Sequence, residues 1–307
     1  MLVVANKGDA TLSIVDVTVG LQIATVPEDA KTGHEVAVSP DGKRAFVPIY
    51  GSAGVGQPGT DGQLIREISL TSHSIAGTLD FHKGVRPHKV VFGPVNGLLY
   101  VTTELENSIT IINPRNLKIV GSIPTGSPQS HMLAITHDGH RGYTCNVKPG
   151  SVSVLDLDEN KLITTIPVSP IAQRIALSAD ERLAFTADQT AARLAVIDTQ
   201  ANAVTSSIPL PGLAFGTAAT PDGRWLVAAL PALSMVALID LNSMTVSRTL
   251  NVPKAPQEVL IRPDGGVAYV SCDASGQIAV IDLARWRLER LIAVGPVCDG
   301  LAWARRN

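Results

Sequence analysis

Three histidines raise the question of chemistry. His34, His88 and His131 each open a short apolar run, and Gln173, Phe215, Gln257 and Asp299 take the same place later in the chain. Successive gaps are 54, 43, 42, 42, 42 and 42 residues, so all seven occupy one repeating position. Three imidazoles at one level could ligate zinc, copper, iron or nickel and leave a coordination position open, which makes His34, His88 and His131 the metal candidates. Glu104 could add an oxygen ligand or orient an imidazole from behind. Tyr50, Glu104, Asp188 and Asp273 lie with Lys7 and Gln189 at a second repeating position, and Arg86 and Arg174 flank the first. Convergent polar side chains in a concavity are what a ligand site needs. No spacing of Ser, His and Asp singles out a triad, and no residue is assigned as catalytic.

The elements that must position these residues follow from internal self-similarity. Ser151–Asp156, Arg193–Asp198, Met235–Asp240 and Gln277–Asp282 are copies of one strand pattern, each ending in Asp 42 residues after the last. A second landmark is the Asp-Gly turn at 41–42, 138–139, 222–223 and 264–265, a hairpin signal between apolar runs. Within one copy, strands are predicted at 257–262 (a), 266–272 (b), 277–282 (c) and 286–292 (d). Four short strands in about 42 residues is the size of a propeller blade. No sustained 3.6-residue apolar period calls for helices.

The first copy begins at strand b, Leu2 to Asn6, and the chain finishes on a lone strand a, Asp299 to Ala304. Together they complete one blade and remove the open sheet edges. The expected fold is all-β, a single seven-bladed β-propeller of four-stranded antiparallel blades over residues 1–307. Blades are expected at 299–304 plus 1–27, 34–80, 87–124, 130–167, 172–209, 214–252 and 256–293. Ala37, Ala134, Ala176, Ala218 and Ala302, with Val91 and Leu260, recur three residues into strand a, small side chains suited to the crowded axis. The insertion from Gly51 to Gly62, rich in glycine and with a lone proline, leaves on the same face as the histidines and is expected to be a mobile flap over the funnel.

Strand b reads Val3-Val-Ala-Asn6, Tyr100-Val-Thr-Thr103, Tyr143-Thr-Cys-Asn146 and Tyr269-Val-Ser-Cys272, and strand d carries Ile-Pro at 123–124, 166–167 and 208–209. With Val-Ile-Asp in strand c, this resembles the YVTN-type propeller repeat along essentially the whole chain. Similar propellers include YncE-like periplasmic proteins, surface-layer proteins, the d1-haem domain of cytochrome cd1 nitrite reductase and propeller lactonases. The resemblance implies the fold strongly and the function weakly. Because most YncE-like members are exported, it implies a periplasmic or extracellular location with the leader absent, the alternative being cytoplasmic.

Composition removes several function classes. A net charge of -2, with no basic tail, argues against nucleic acid. No apolar stretch approaches the ~18 residues of a membrane span. Three cysteines in no CxxC spacing exclude a disulfide framework and a c-type haem attachment, and are read as small buried hydrophobes. Gly54 to Gly59 matches GxGxxG without a strand-to-helix unit. Asp156 to Asn160 resembles the start of an EF-hand loop but lacks its glycine and is read as a c-to-d turn.

The favoured reading is a binding or scaffold propeller that holds a small molecule, peptide or protein on its top face. The alternatives are a metal- or haem-dependent enzyme with a histidine-lined centre and a lactonase-like hydrolase, in which an acidic residue and a metal or Arg activate water. Fold alone chooses none of them.

Overall fold

The computed structural model describes residues 1–305. They form seven four-stranded antiparallel sheets in a ring. Blade 7 has strands Pro256–Ile261, Val267–Cys272, Gln277–Asp282 and Arg287–Ala293, each within one residue of the prediction. Among the described residues the helical elements are three single 3-10 turns, Glu104–Glu106, Pro231–Leu233 and Asp273–Ser275, each following a strand b. No helix among them is long and apolar enough to cross a membrane.

Ring closure has the expected form. Cys298–Trp303 pairs antiparallel with Leu2–Asn6 through Leu2↔Trp303, Val3↔Ala302 and Val4↔Leu301. The Met1 ammonium donates to the Ala304 carbonyl at 2.8 Å, extending the seam by one rung.

Strands b and c are buried on both faces because each blade is covered by its neighbours, so they read as continuous apolar runs. Leu2–Asn6 and Leu99–Thr103 are buried throughout, whereas the outer strand Lys118–Pro124 buries a single residue. The core consists of layers between blades; one joins Val3, Leu12 and Ile14 of blade 1 to Ala45, Val47 and Ile68 of blade 2. The recurring Asp residues are turn makers. Asp156 Oδ1 accepts the backbone N–H groups of Asp158 and Glu159 at 3.1 and 2.9 Å, which is the c-to-d turn rather than a calcium loop. Cys145, Cys272 and Cys298 are free and buried, and burial pushes their thiols up to about 11, 12 and 12.

Candidate functional site

The funnel is built where the seven inner strands begin: His88, His131, Gln173, Gln257 and Asp299 are second residues of theirs, and His34 and Phe215 lie just before Ala37–Val38 and Thr217–Ala219. His34, His88, His131, Gln173, Phe215, Gln257 and Asp299 line one cavity of about 180 Å³ together with Lys7, Tyr50, Arg174 and the insertion residues Gly54 and Val55. Strand periodicity would send the next residue of each strand sideways into a blade interface. Register irregularities at Pro87/Val90, Gln173/Ala176 and Pro256/Val259 break that alternation, as bulges do when they re-aim a side chain. Arg174 goes further and takes a left-handed backbone, φ 65°, which costs a non-glycine residue about 1–3 kcal/mol.

The consequence is a second ring directly under the first. Its members are Glu35, Lys89, Met132, Arg174, Gly216, Glu258 and Gly300, one residue beyond each first-ring position. Arg174 sits at its centre. One guanidinium nitrogen, Nη1, donates to Glu35 at 2.8 Å and Glu258 at 2.6 Å, and Nη2 donates to Asp299 at 3.0 Å. Its guanidinium carbon lies 4.8 Å from the Phe215 ring centroid. Lys89 Nζ reaches Glu35 at 2.7 Å and Glu258 at 3.5 Å. Lys7 Nζ reaches Asp299 at 3.0 Å and Asp273 at 3.6 Å. The two glycines leave room for this lattice: a Cβ on Gly300 would stand 2.6 Å from the Glu35 Cα, and one on Gly216 would stand 2.2 Å from the Gln257 carbonyl oxygen.

The two rings differ in charge. Burial alone would raise the Asp299 carboxyl, but Arg174 and Lys7 more than offset it and hold the group well below the usual carboxylate range. For Glu258 burial wins over Lys89 and Arg174, and its carboxyl is raised. In the first ring, burial lowers His34 to about 4 against the pull of Asp299. Burial, with Arg174 and Lys89 nearby, keeps His88 and His131 well below an ordinary imidazole. All three are neutral at pH 7. The rings of His88 and His131 stack with centroids 3.7 Å apart, and His34 and Tyr50 stand edge-on to His88 at 5.3 and 5.1 Å. The Nδ1 atoms of His88 and His131 and the Nε of Arg174 are buried without a hydrogen-bond partner.

No group of three or more His, Cys, Asp or Glu side chains among the described residues is placed to hold a metal ion. The stacking of His88 on His131, and the cations beside them, work against gathering the three imidazoles around one more cation.

The insertion is clasped down over the funnel. Glu104 accepts the Gly56 N–H at 3.0 Å and the Tyr50 hydroxyl. Arg86 donates to Glu104 at 3.2 Å, to Asp61 at 2.6 Å and to the Gln57 carbonyl at 2.9 Å. Arg86 and Glu104 therefore hold the flap from its outer side, where they face a separate cleft of about 410 Å³ with Leu105 and Pro128. Of the remaining predicted residues, Asp273 is at the rim through Lys7, and Asp188 is elsewhere. The Asp188 carboxylate is buried in its own blade, taking the Thr190 N–H and hydroxyl at 2.8 and 2.6 Å and Arg193 Nε at 2.9 Å. Glu35, Lys89 and Glu258 were missed by the sequence reading. The signal that could have found them is a charged residue at the same offset in three inner strands that are otherwise apolar.

The fold of this chain is shared with solved structures of low sequence identity. Hydrazine synthase of Kuenenia stuttgartiensis aligns with a TM-score of 0.78 at 16% identity, covering 91% of each chain. A functionally unknown protein from Desulfotomaculum acetoxidans aligns at 0.81 and 12% identity over 100% of this chain and 99% of the other. Dihydro-haem d1 dehydrogenase NirN, solved in complex with DHE, aligns at 0.70 and 16% identity over 99% of this chain and 74% of the other. No curated protein matches. The family model described as lactonase, 7-bladed β-propeller, matches residues 3–206. With two thirds of its length matched, the chain belongs to the lactonase family of seven-bladed β-propellers.

Proposed function

We propose that this protein is a ligand-binding propeller whose funnel holds a small, polar, uncharged molecule beneath the flap. The observation that carries this reading is the set of three unpartnered nitrogens, His88 Nδ1, His131 Nδ1 and Arg174 Nε, on residues that line one cavity. Each buried polar atom left unpaired costs about 1–3 kcal/mol; these three have no surface open to the cavity, so a ligand recovers that cost by drawing the imidazoles and the guanidinium round toward it. The charges at the funnel are each held in an ion pair, Lys7 and Arg174 on Asp299 and Lys89 on Glu35, so none stands free to attract an ion. Ligand pockets for drug-sized molecules span roughly 300–1,000 Å³. The cavity of about 180 Å³ therefore suits a ligand of a few heavy atoms, and anything of haem size requires the flap to lift.

The family supports a second reading, a lactonase-like hydrolase. His34 favours it as a neutral imidazole in the field of the ionised Asp299, the kind of pair that activates water. Binding is preferred because Asp299 is already engaged by Arg174 and Lys7, and a group with pKa about 4 is a weak base at pH 7. A metal- or haem-dependent activity needs the stacked imidazoles to separate first. The YVTN-type strand b supports grouping the chain with YncE-like propellers and so an exported location, which cell fractionation checks.

Ligand-observed NMR with a panel of small neutral molecules, lactones included, tests the binding reading. Hits are expected with the wild type and lost in Gln257→Trp, which fills the cavity. An absence of hits, or hits indifferent to that change, contradicts it. Ring opening of a bound lactone that stops in His34→Gln would establish the hydrolase instead.

A further inference from the structure

Glu28 lies outside the funnel, in the segment that carries strand d of blade 1 round to His34. It is fully buried, and its two carboxyl oxygens are treated unequally. Oε2 accepts the Gly33 N–H at 2.7 Å, while Oε1 has no partner. A buried carboxylate needs several donors to offset the loss of water, and one backbone N–H does not supply them. The neutral acid is the form this pocket fits. The charged groups around it do not alter that. Asp9, from the b-to-c turn of blade 1, disfavours ionisation. Arg66, from strand c of blade 2, favours it, but its guanidinium is committed to the Glu28 and Asp29 backbone carbonyls at 2.8 Å each.

The segment Glu28 holds is mechanically tied to the site. The Thr32 carbonyl accepts the N–H groups of Tyr50 at 3.2 Å and Gly51 at 3.5 Å, where the flap begins. The Thr32 hydroxyl donates to the Lys7 carbonyl at 3.1 Å. Gly33 bridges to Ile49 and packs so closely that a Cβ would stand 2.3 Å from Val47 Cγ1. His34 follows directly.

We propose that Glu28 is a proton-operated latch on residues 29–33: the protonated carboxyl keeps the segment closed, and ionisation favours an open form in which water reaches the carboxylate. Its bearing on ligand entry rests on the funnel reading; the latch itself does not. Burial raises the Glu28 carboxyl from 4.5 to about 7 in the closed form. The closed form thus binds its proton more tightly than the open form. Stability of the closure is fully present below 4.5 and declines as pH rises to about 7. In that window the open population grows up to about tenfold per pH unit, then levels off.

Three amides report the latch directly: Gly33, Tyr50 and Gly51. Native-state hydrogen exchange, corrected for intrinsic base catalysis, is expected to show their opening increase about 20-fold from pH 5 to pH 6.5. In Glu28→Gln, which keeps the shape of the neutral acid, it should stay flat. Carbon-13 NMR of the wild-type side-chain carboxyl should titrate near 7. A midpoint near 4.5, or the same exchange ratio in Glu28→Gln, overturns the proposal. The carboxyl titration needs no variant, so it decides the matter even if Glu28→Gln fails to fold. Both measurements use ligand-free protein, and their failure leaves the funnel reading standing.

Discussion

Two rings of side chains, one residue apart along the same seven strands, serve opposite purposes. Apart from Asp299, the upper ring carries uncharged groups and aromatic faces, and the Nδ1 atoms of His88 and His131 there have no partner. The lower ring carries charges in which Glu35, Lys89, Arg174 and Glu258 satisfy one another. An ion lattice paired in this way, with Arg174 Nε its one unpartnered guanidinium atom, has little left to offer a ligand, and its breaking is costly because the remaining charges stay buried. An incompletely satisfied neutral ring has the reverse character. The lower ring is therefore a plug that fixes the inner strands, and the upper ring is a pocket resting on it. Asp299 belongs to both, through its place at the mouth and its bonds to Arg174 and Lys7.

The contrast breaks most visibly at Arg174. Arg174→Met leaves Glu35, Glu258 and Asp299 facing one another, and a loss of about 3–5 kcal/mol is expected in denaturant unfolding. A loss below about 1 kcal/mol would mean that the plug is not structural. Gly300→Ala crowds the lattice against the Glu35 backbone and should cost about 1–3 kcal/mol by the same measurement. An unchanged midpoint would show that the inner strands yield more easily than the contacts imply.

Smaller and opposite in kind is the response of the upper ring to acid. The folded state holds His88 and His131 below their unfolded value of about 6.5. Each thus contributes stability that is present above pH 6.5 and is lost as pH falls below it, by up to about 1.4 kcal/mol per unit. His131→Gln should remove its share of that slope between pH 6.5 and 5.5. A slope equal to wild type would place the imidazole in water. The flap gives the most local readout: Arg86→Ala takes the cation away from the buried Glu104 carboxylate and should speed proteolysis at residues 52–60. Equal cleavage rates would show that the flap is not held by this guanidinium.

The sequence made the upper ring legible because a fixed offset from the Asp-Gly turn returns the same level in every blade. The lower ring escaped the same reasoning. A regular strand turns consecutive residues to opposite faces, so Lys89 and Glu258 were assigned no place on the axis, and bulges before Val90 and Val259 overturned that rule. Asp188 was drawn into the pocket by its position after strand b, but it bonds locally to Thr190 and Arg193. The flap was expected to be mobile from its glycines. Its clasp depends on Arg86 and Glu104 meeting across 18 residues, a pairing that composition does not reveal. Ring closure was legible because a missing strand at one end and a spare strand at the other have one mutual solution.

The most direct test of the upper ring as a pocket is nitrogen-15 NMR of the imidazoles of His34, His88 and His131 at pH 7, with and without a funnel ligand. Three neutral imidazoles are expected, with the His88 and His131 nitrogens shifting as the ligand saturates. Imidazolium signals, or nitrogens unmoved by every molecule that binds the protein, would contradict it.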